Sequence, residues 1–190
     1  SIAMLHAFAR IADEPGRLEV AHFNHQWRGS ASDADEKFVE ETAAMLGLPL
    51  HIGRASDFGG DSLSQTEQTA RSLRYQFLTK TAYRTGASYV LTAHTASDQV
   101  ETILHNLFRG TGIAGLRAIE FCRPLDEELV LVRPLIDLTR QDVQEYLRAI
   151  DEDYREDASN DERTFKRNFI RHELLPVLRE KFNDKLDGRL

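Results

Sequence analysis

The chain has 190 residues, 41% of them hydrophobic, and a formal net charge of −7, enough to bury a core in one compact domain with an appendage. No stretch approaches the roughly 18–20 apolar residues of a membrane helix, the first residues lack the basic flank and cleavage site of a signal peptide, and the lone Cys122 excludes an internal disulfide and a Cys-x-x-Cys site. Cytoplasmic residence fits, and the net acidity does not advertise nucleic-acid binding.

Taken in chain order, Ser1 to Ala12 predicts a helix with Ile2, Leu5, Phe8, Ala9 and Ala12 on one face. Glu14-Pro15-Gly16 is a turn, and Leu18 to Phe23 a strand ending in His22-Phe23-Asn24-His25. Ser32, with Asp35 three residues on, predicts a capping box opening a helix that carries Phe38, Val39, Thr42, Met45 and Leu46. Gly47 and Pro49 stop that helix, and Leu50 to Gly53 forms a short strand. Thr66 to Thr85 reads as a long helix closed by Gly86, with Leu73, Phe77 and Leu78 inside and Arg71 and Arg74 nearer its start. A strand over Tyr89 to Ala93 leads into a helix over Ser97 to Arg109. Gly110, Gly112 and Gly115 make a loop, Leu129 to Val132 a strand, and Thr139 to Ile150 a helix with Val143, Tyr146, Leu147 and Ile150 on one side. A last helix covers roughly Asn168 to Lys181. Strands alternating with helices imply an α/β fold, a parallel sheet covered on both faces. The chain divides into a main domain over 1–150 and a segment over 151–190, where seven acids between Asp151 and Glu162 precede the basic Arg163, Lys166, Arg167 and Arg171. That charge pattern reads equally as a self-paired surface or as a local phosphate-binding patch.

The chemistry concentrates at Ala93-His94-Thr95-Ala96-Ser97-Asp98-Gln99-Val100-Glu101-Thr102, where a strand gives way to a helix. Ligands of open parallel sheets bind at such strand ends. Val100, Ile103, Leu104, Leu107 and Phe108 form the buried stripe, with Asp98, Glu101, Thr102, His105 and Arg109 on the opposite face. Asp98 and Glu101 lie one turn apart; they complement the helix dipole, hold a magnesium ion, or bind and deprotonate an amine. His22 and Asn24 share one face of their strand. With His25, His94 and Asp98, His22 also makes a weaker metal-ligand set. Arg71 and Arg74, flanking Tyr75, suit a phosphate or carboxylate clamp or pack as a surface pair. Three glycines in six residues suggest close backbone approach to a ligand. Arg167 and Arg171, four apart, make a basic stripe, and Asn168 is placed to cap the last helix.

Together and in this order, these motifs resemble the tRNA(Ile)-lysidine synthase family of the PP-loop (N-type) ATP pyrophosphatase superfamily. The resemblance rests on His22-Phe-Asn-His25 with Arg28-Gly29 and Ser32-Asp33-x-Asp35-Glu36, then Ala70-Arg71-x-x-Arg74-Tyr75 and Ala93-His94-x-x-x-Asp98-Gln99-x-Glu101-Thr102. Arg109-Gly110-x-Gly112, Arg133-Pro134-Leu135, Asp157-x-Ser159-Asn160 and Arg167-Asn168-x-x-Arg171 complete it. Thr95 and Ser97 stand where the family typically has a second His and a second Asp. The family's Ser-Gly-Gly-x-Asp-Ser loop is absent, Ser1 aligning with its final Ser. The chain is therefore expected to lack the first strand and most of the phosphate loop, and to be inactive by itself.

The resemblance implies a Rossmann-like doubly wound sheet of the adenine nucleotide alpha-hydrolase type. It implies ATP and Mg2+ as cofactors, tRNA(Ile) and L-lysine as partners, and leaves a homodimer open. It implies adenylation of C2 of the wobble cytidine and attack by the lysine amine, with Asp98, His94 and Glu101 catalytic and Asp98 or Glu101 near magnesium. Ser1, His22, Asn24, Gly110 and Gly112 would bind nucleotide; Arg71, Arg74, Arg167 and Arg171 would bind tRNA. The alternatives are a tRNA thiolase of the same superfamily, disfavoured by the single cysteine, and a nucleotide- or RNA-binding module without catalysis.

Overall fold

The computed structural model describes residues 2–12, 17–59, 66–112, 116–153, 166–183 and 186–188. Two compact units divide the chain, one of Ser1–Val90 with Pro124–Leu131, the other of Leu91–Arg123 with Val132–Leu190. The class is α/β with parallel strand pairing, as the alternation of elements predicts.

The first unit contains α1 (Ile2–Ile11), β1 (Val20–Asn24), α2 (Ser30–Met45), β2 (Leu50–Arg54) and α3 (Glu67–Thr85). β1 and β2 pair in parallel from Val20↔Leu50 to Asn24↔Arg54, with α2 as the crossover that parallel neighbours require. Phe23, Ala55, Leu73 and Phe77 form one core cluster and Ala82, Val90, Leu129 and Leu131 another. α3 keeps its predicted signals: Thr66 Oγ1 accepts from the Thr69 N–H at 3.1 Å, and Gly86 follows in the left-handed conformation. α2 does not. It begins at Ser30 behind Gly29, while Ser32 lies inside the helix, buried, its hydroxyl accepting from the Arg28 N–H. Of the residues the helix is expected to carry, Thr42 is buried and Met45 is exposed, and Ser32, Glu36 and Ala43 are buried beside Thr42.

That buried polar face has a purpose. Glu36 accepts from Asn24 Nδ2 at 2.9 Å and from the Arg54 guanidinium, so one carboxylate of α2 ties the ends of β1 and β2 together. Burial by itself would raise the Glu36 carboxyl; the hydrogen bonds from Arg54 and Asn24 outweigh it and hold the group below its usual 4.5. Asn24 Oδ1 also accepts from the Gln26 N–H at 2.8 Å, which stabilises Gln26 at a positive φ of 59°.

β3 (Tyr89–Leu91), β4 (Cys122–Pro124) and β5 (Val130–Val132) form a sheet in the order β3-β5-β4. The Val130 N–H bonds to Ser88 O and the Thr92 N–H to Val132 O, which makes β5 parallel to β3. The Arg133 N–H bonds to Phe121 O and the Leu125 N–H to Leu129 O, which makes β4 and β5 an antiparallel hairpin. β4 is not visible in the sequence: it is three residues long, and one of them is Pro124.

The second unit holds α4 (Ala96–Phe108), α5 (Arg140–Ala149), α6 (Lys166–Phe169) and α7 (Leu175–Lys181). Ile170–Leu174 joins α6 to α7 as a π-helical turn, so the expected last helix is one run with a widened turn. Pro176 accounts for it: without an N–H it cannot bond to His172, and the Leu175 N–H reaches back to Ile170 O instead. Asn168 sits within this run and is buried, rather than capping it. Val100, Leu104, Ile170 and Leu175 form the core of the unit. α5 starts as predicted, with Thr139 Oγ1 accepting from the Asp142 N–H and Asp142 returning a bond to the Thr139 N–H.

Two outcomes are expected. A Cβ on Gly53 would lie 2.4 Å from the Phe77 ring, so Gly53→Ala lowers stability by about 1–3 kcal/mol through overpacking, read from denaturant melts. The depressed Glu36 carboxyl stabilises the fold above about pH 4.5, and that contribution disappears as pH falls through its folded value. Thermal melts of Glu36→Gln will therefore show lower stability than the parent at pH 7, a flatter acid limb, and convergence with the parent once the pH is below the folded value.

Candidate functional site

The junction between β3 and α4 is built from its own side chains. The chain leaves β3 with the Thr92 N–H bonded to Val132 O, and Thr95 takes an extended conformation ahead of α4. Asp98, in the first turn, turns Oδ2 back to accept from the Thr95 N–H at 2.8 Å and from Thr95 Oγ1 at 3.0 Å. Thr95 thus fixes the rotamer of Asp98 with two donors. His94 Nδ1 lies 3.0 Å from Thr92 Oγ1 in a hydrogen bond that orients its ring.

The other oxygen of Asp98 enters a four-charge cluster. Glu101 is 3% exposed and accepts a forked pair of bonds from Arg171, Nε to Oε1 at 2.6 Å and Nη2 to Oε2 at 2.8 Å. Arg171 Nη2 also lies 3.8 Å from Asp98 Oδ1. Arg140, at the start of α5, brings its Nη2 to 3.8 Å from Asp98 Oδ1 and 3.6 Å from Glu101 Oε1, with its side chain 43% exposed. Two carboxylates and two guanidiniums balance locally. Beside them Ser97 Oγ donates to Asp187 Oδ2 at 2.8 Å, and Asp187 is gripped by Arg179 at 2.7 and 2.9 Å.

This corrects two expectations. The polar face predicted for α4 is not wholly a ligand-facing one: Glu101 is buried under the π-helical turn, whereas Leu107 and Phe108, predicted inside, are 50% and 64% exposed. Arg171, expected on a basic stripe, is held in the ion pair. Periodicity in one helix cannot anticipate a residue 70 positions later closing over it. The arrangement also does not fit a magnesium ion between Asp98 and Glu101. Both Glu101 oxygens are engaged by Arg171 and Asp98 Oδ2 by Thr95, and no group of three or more His, Cys, Asp or Glu among the described residues is placed to hold a metal.

The remaining candidates divide between the units. In the first, Asn24 is buried among Asp33 and Glu36, and burial of His22 lowers its pKa from the usual 6.5, which outweighs the opposing pull of Glu36 and Asp35. Arg71 and Arg74 stand on α3 with guanidinium carbons 5.0 and 5.9 Å from the Tyr75 ring centroid, a cation–π arrangement. In the second, Gly110 follows α4 at φ 76°, its N–H on Leu107 O and the Thr111 N–H on Asn106 O, so helix termination explains it. Gly112 has nothing within 4 Å of an added Cβ, and packing does not explain it. Ser1, Gly115, Asp157, Ser159, Asn160 and the Arg167 side chain lie outside the described residues. The sequence reading missed roles for Glu36, Arg54, Gln99, Arg140 and Asp187. Only Glu36 had a local signal, its i, i+4 spacing from Ser32 on the buried face of α2.

The PP-loop domain family matches residues 1–178. The tRNA(Ile)-lysidine synthase of Chlorobaculum tepidum is 40% identical over 189 residues, covering 98% of this chain and 56% of that protein. The tRNA(Ile)-lysidine synthase of Gloeobacter violaceus is 38% identical over 191 residues, covering 100% of this chain and 57% of that protein. The chain thus spans about half the length of these curated relatives. Among solved structures, the U34-tRNA thiolase NcsA from Methanococcus maripaludis with its [4Fe-4S] cluster superimposes with a TM-score of 0.74 at 13% identity, covering all of this chain and 65% of that one, a likeness of fold. The strand-end motifs, the α/β architecture and a family match over nearly the whole chain agree, and the chain belongs to the PP-loop domain family.

Proposed function

We propose that this chain is the catalytic portion of an ATP-dependent tRNA-modifying ligase of the lysidine synthase type. The C2 oxygen of the wobble cytidine of tRNA(Ile) attacks the α-phosphorus of ATP and pyrophosphate leaves. The lysine ε-amine then attacks C2, the C–O bond breaks, AMP departs, and the amine gives up its proton. The observation that carries this reading is the Asp98 carboxylate, fixed at the start of α4 in a chain 40% identical to a lysidine synthase.

Lysine is a nucleophile only when neutral, so its amine must be bound and deprotonated. Asp98 is suited to receive an ammonium: Thr95 holds one oxygen, and the other faces the half-exposed Arg140. An arriving ammonium competes with Arg140, whose long ion pairs yield more readily than the fork from Arg171. Glu101 keeps Arg171 in place and so holds the wall of the site. Arg71 and Arg74 supply cationic, stacking-capable groups of the kind that contact a splayed RNA base or its phosphates. Any magnesium would travel with the ATP phosphates; the Asp98–Glu101 pair assigns it no position. A thiolase is the weaker reading, because the chain has a single cysteine, Cys122, exposed on β4.

The test is release of AMP from ATP by the whole protein, dependent on both tRNA(Ile) and lysine. Absence of that dependence defeats the assignment. Asp98→Asn keeps an oxygen for Thr95 but removes the charge, and it is expected to slow release by about 100-fold or more while shifting stability by less than about 1 kcal/mol. Unchanged turnover would take Asp98 out of the chemistry.

A further inference from the structure

The first turn of α4 is braced residue by residue. Thr95 holds Asp98 Oδ2, and Ser97 Oγ donates to Asp187. Gln99 satisfies both backbone groups of Ile119, its Nε2 donating to Ile119 O at 2.9 Å and its Oε1 accepting from the Ile119 N–H. Glu101 is clasped by the fork from Arg171. Within this frame one charged side chain is held differently. The backbone of Arg140 is anchored, because it opens α5 behind the capping box of Thr139 and Asp142 and its N–H donates to Ser97 Oγ at 3.4 Å. Its guanidinium is held loosely. Nη2 stands 3.8 Å from Asp98 Oδ1 and 3.6 Å from Glu101 Oε1, beyond direct hydrogen-bond length, and the side chain is 43% exposed against 17% for Arg171. Charge alone keeps that nitrogen between two carboxylates. Such half-exposed pairs are weak, and leaving them takes only a side-chain rotation. Once Arg140 swings out, Asp98 and Glu101 face Arg171 alone, and the cluster carries one uncompensated negative charge, the complement of one ammonium.

We propose that Arg140 is a displaceable plug of the amine site: its guanidinium neutralises Asp98 and Glu101 while the site is empty and yields that place to the ammonium of the incoming lysine. The inference rests on the function proposed above and deepens it. It assigns the ammonium a position, beside Asp98 Oδ1 and facing Glu101 Oε1, and makes Arg140 a specificity-determining residue. An ammonium is more compact than a guanidinium and closes to about 2.7–2.9 Å on a carboxylate, so it outcompetes a contact as long as that of Arg140. A neutral side chain in the same place leaves the cluster unbalanced after the plug has gone, so the site rejects ligands without a cationic end.

The experiment reads the KM for lysine in tRNA-dependent AMP release by the whole protein, for the parent, Arg140→Gln and Arg148→Gln. Arg148, exposed in the last turn of α5, controls for loss of one positive charge from the same helix. Removing an internal competitor raises apparent affinity, so Arg140→Gln is expected to lower the KM for lysine about fivefold, and Arg148→Gln to leave it within about twofold. Loss of a merely structural residue does not lower a KM. An unchanged KM in Arg140→Gln overturns the proposal, and so does a higher one, which marks Arg140 as a contact that bound lysine keeps. An equal fall in Arg148→Gln overturns it too, because net charge then accounts for the gain. If the melting temperature shows that Arg140→Gln does not fold, Arg140→Met, which keeps the packed stem, replaces it under the same criteria. A parent that releases no AMP in response to lysine overturns the functional reading and this proposal with it. A lysine-dependent parent whose KM ignores Arg140 overturns this proposal alone.

Discussion

The ion pair between Glu101 and Arg171 is the constraint on which the second unit depends. Two carboxylates in the first turns of α4 favour the helix dipole but repel each other. Burying one of them would be costly without a paired, hydrogen-bonded cation. Arg171 supplies that cation with fork geometry, and Ile170 and Leu175 beside it pack on Val100 and Leu104. Charge and apolar surface thus fix the same register between α4 and the C-terminal helical run. The π turn follows from this register and from Pro176, since a widened turn accommodates the missing N–H. Ser97, also on α4, and Asp187 repeat the logic, with Arg179 as the cation.

The first unit solves a similar problem with Glu36. Ends of parallel strands leave backbone and side-chain polar groups without ladder partners. Glu36 gathers Asn24 from β1 and Arg54 from β2, and Asn24 in turn shapes the turn at Gln26. In both units a buried carboxylate on a helix organises polar residues from separate stretches of chain. These carboxylates are framework, while Asp98, pinned by Thr95 and bordered by the more exposed Arg140, is the one we propose meets the charged substrate.

Much of this was legible in the sequence where local chemistry decides. Thr66 and Gly86 bound α3, Thr139 starts α5, and the strand-end clusters at His22–His25 and His94–Asp98 fall at the ends of β1 and β3. Reading failed where a distant residue decides. Ser32 and Asp35 have the spacing of a capping box, but Gly29 takes the cap and the hydroxyl of Ser32 turns inward. Glu101 lies on a polar helical face by periodicity and is buried because Arg171 covers it. β4 is specified by its hairpin with β5 rather than by its own three residues. The two departures from the family pattern also make sense only in three dimensions: Thr95 donates to Asp98, and Ser97 donates to Asp187.

The most direct test of this account is a double-mutant cycle on Glu101 and Arg171, read by denaturant unfolding. Removing either partner leaves a buried charge with only a long contact, Glu101 to Arg140 or Arg171 to Asp98, so Glu101→Leu and Arg171→Met should each lose about 3–5 kcal/mol, whereas the double variant, in which Asp98 and Arg140 still balance each other, should recover most of that loss. Losses that simply add in the double variant would contradict the claim that this pair organises the unit.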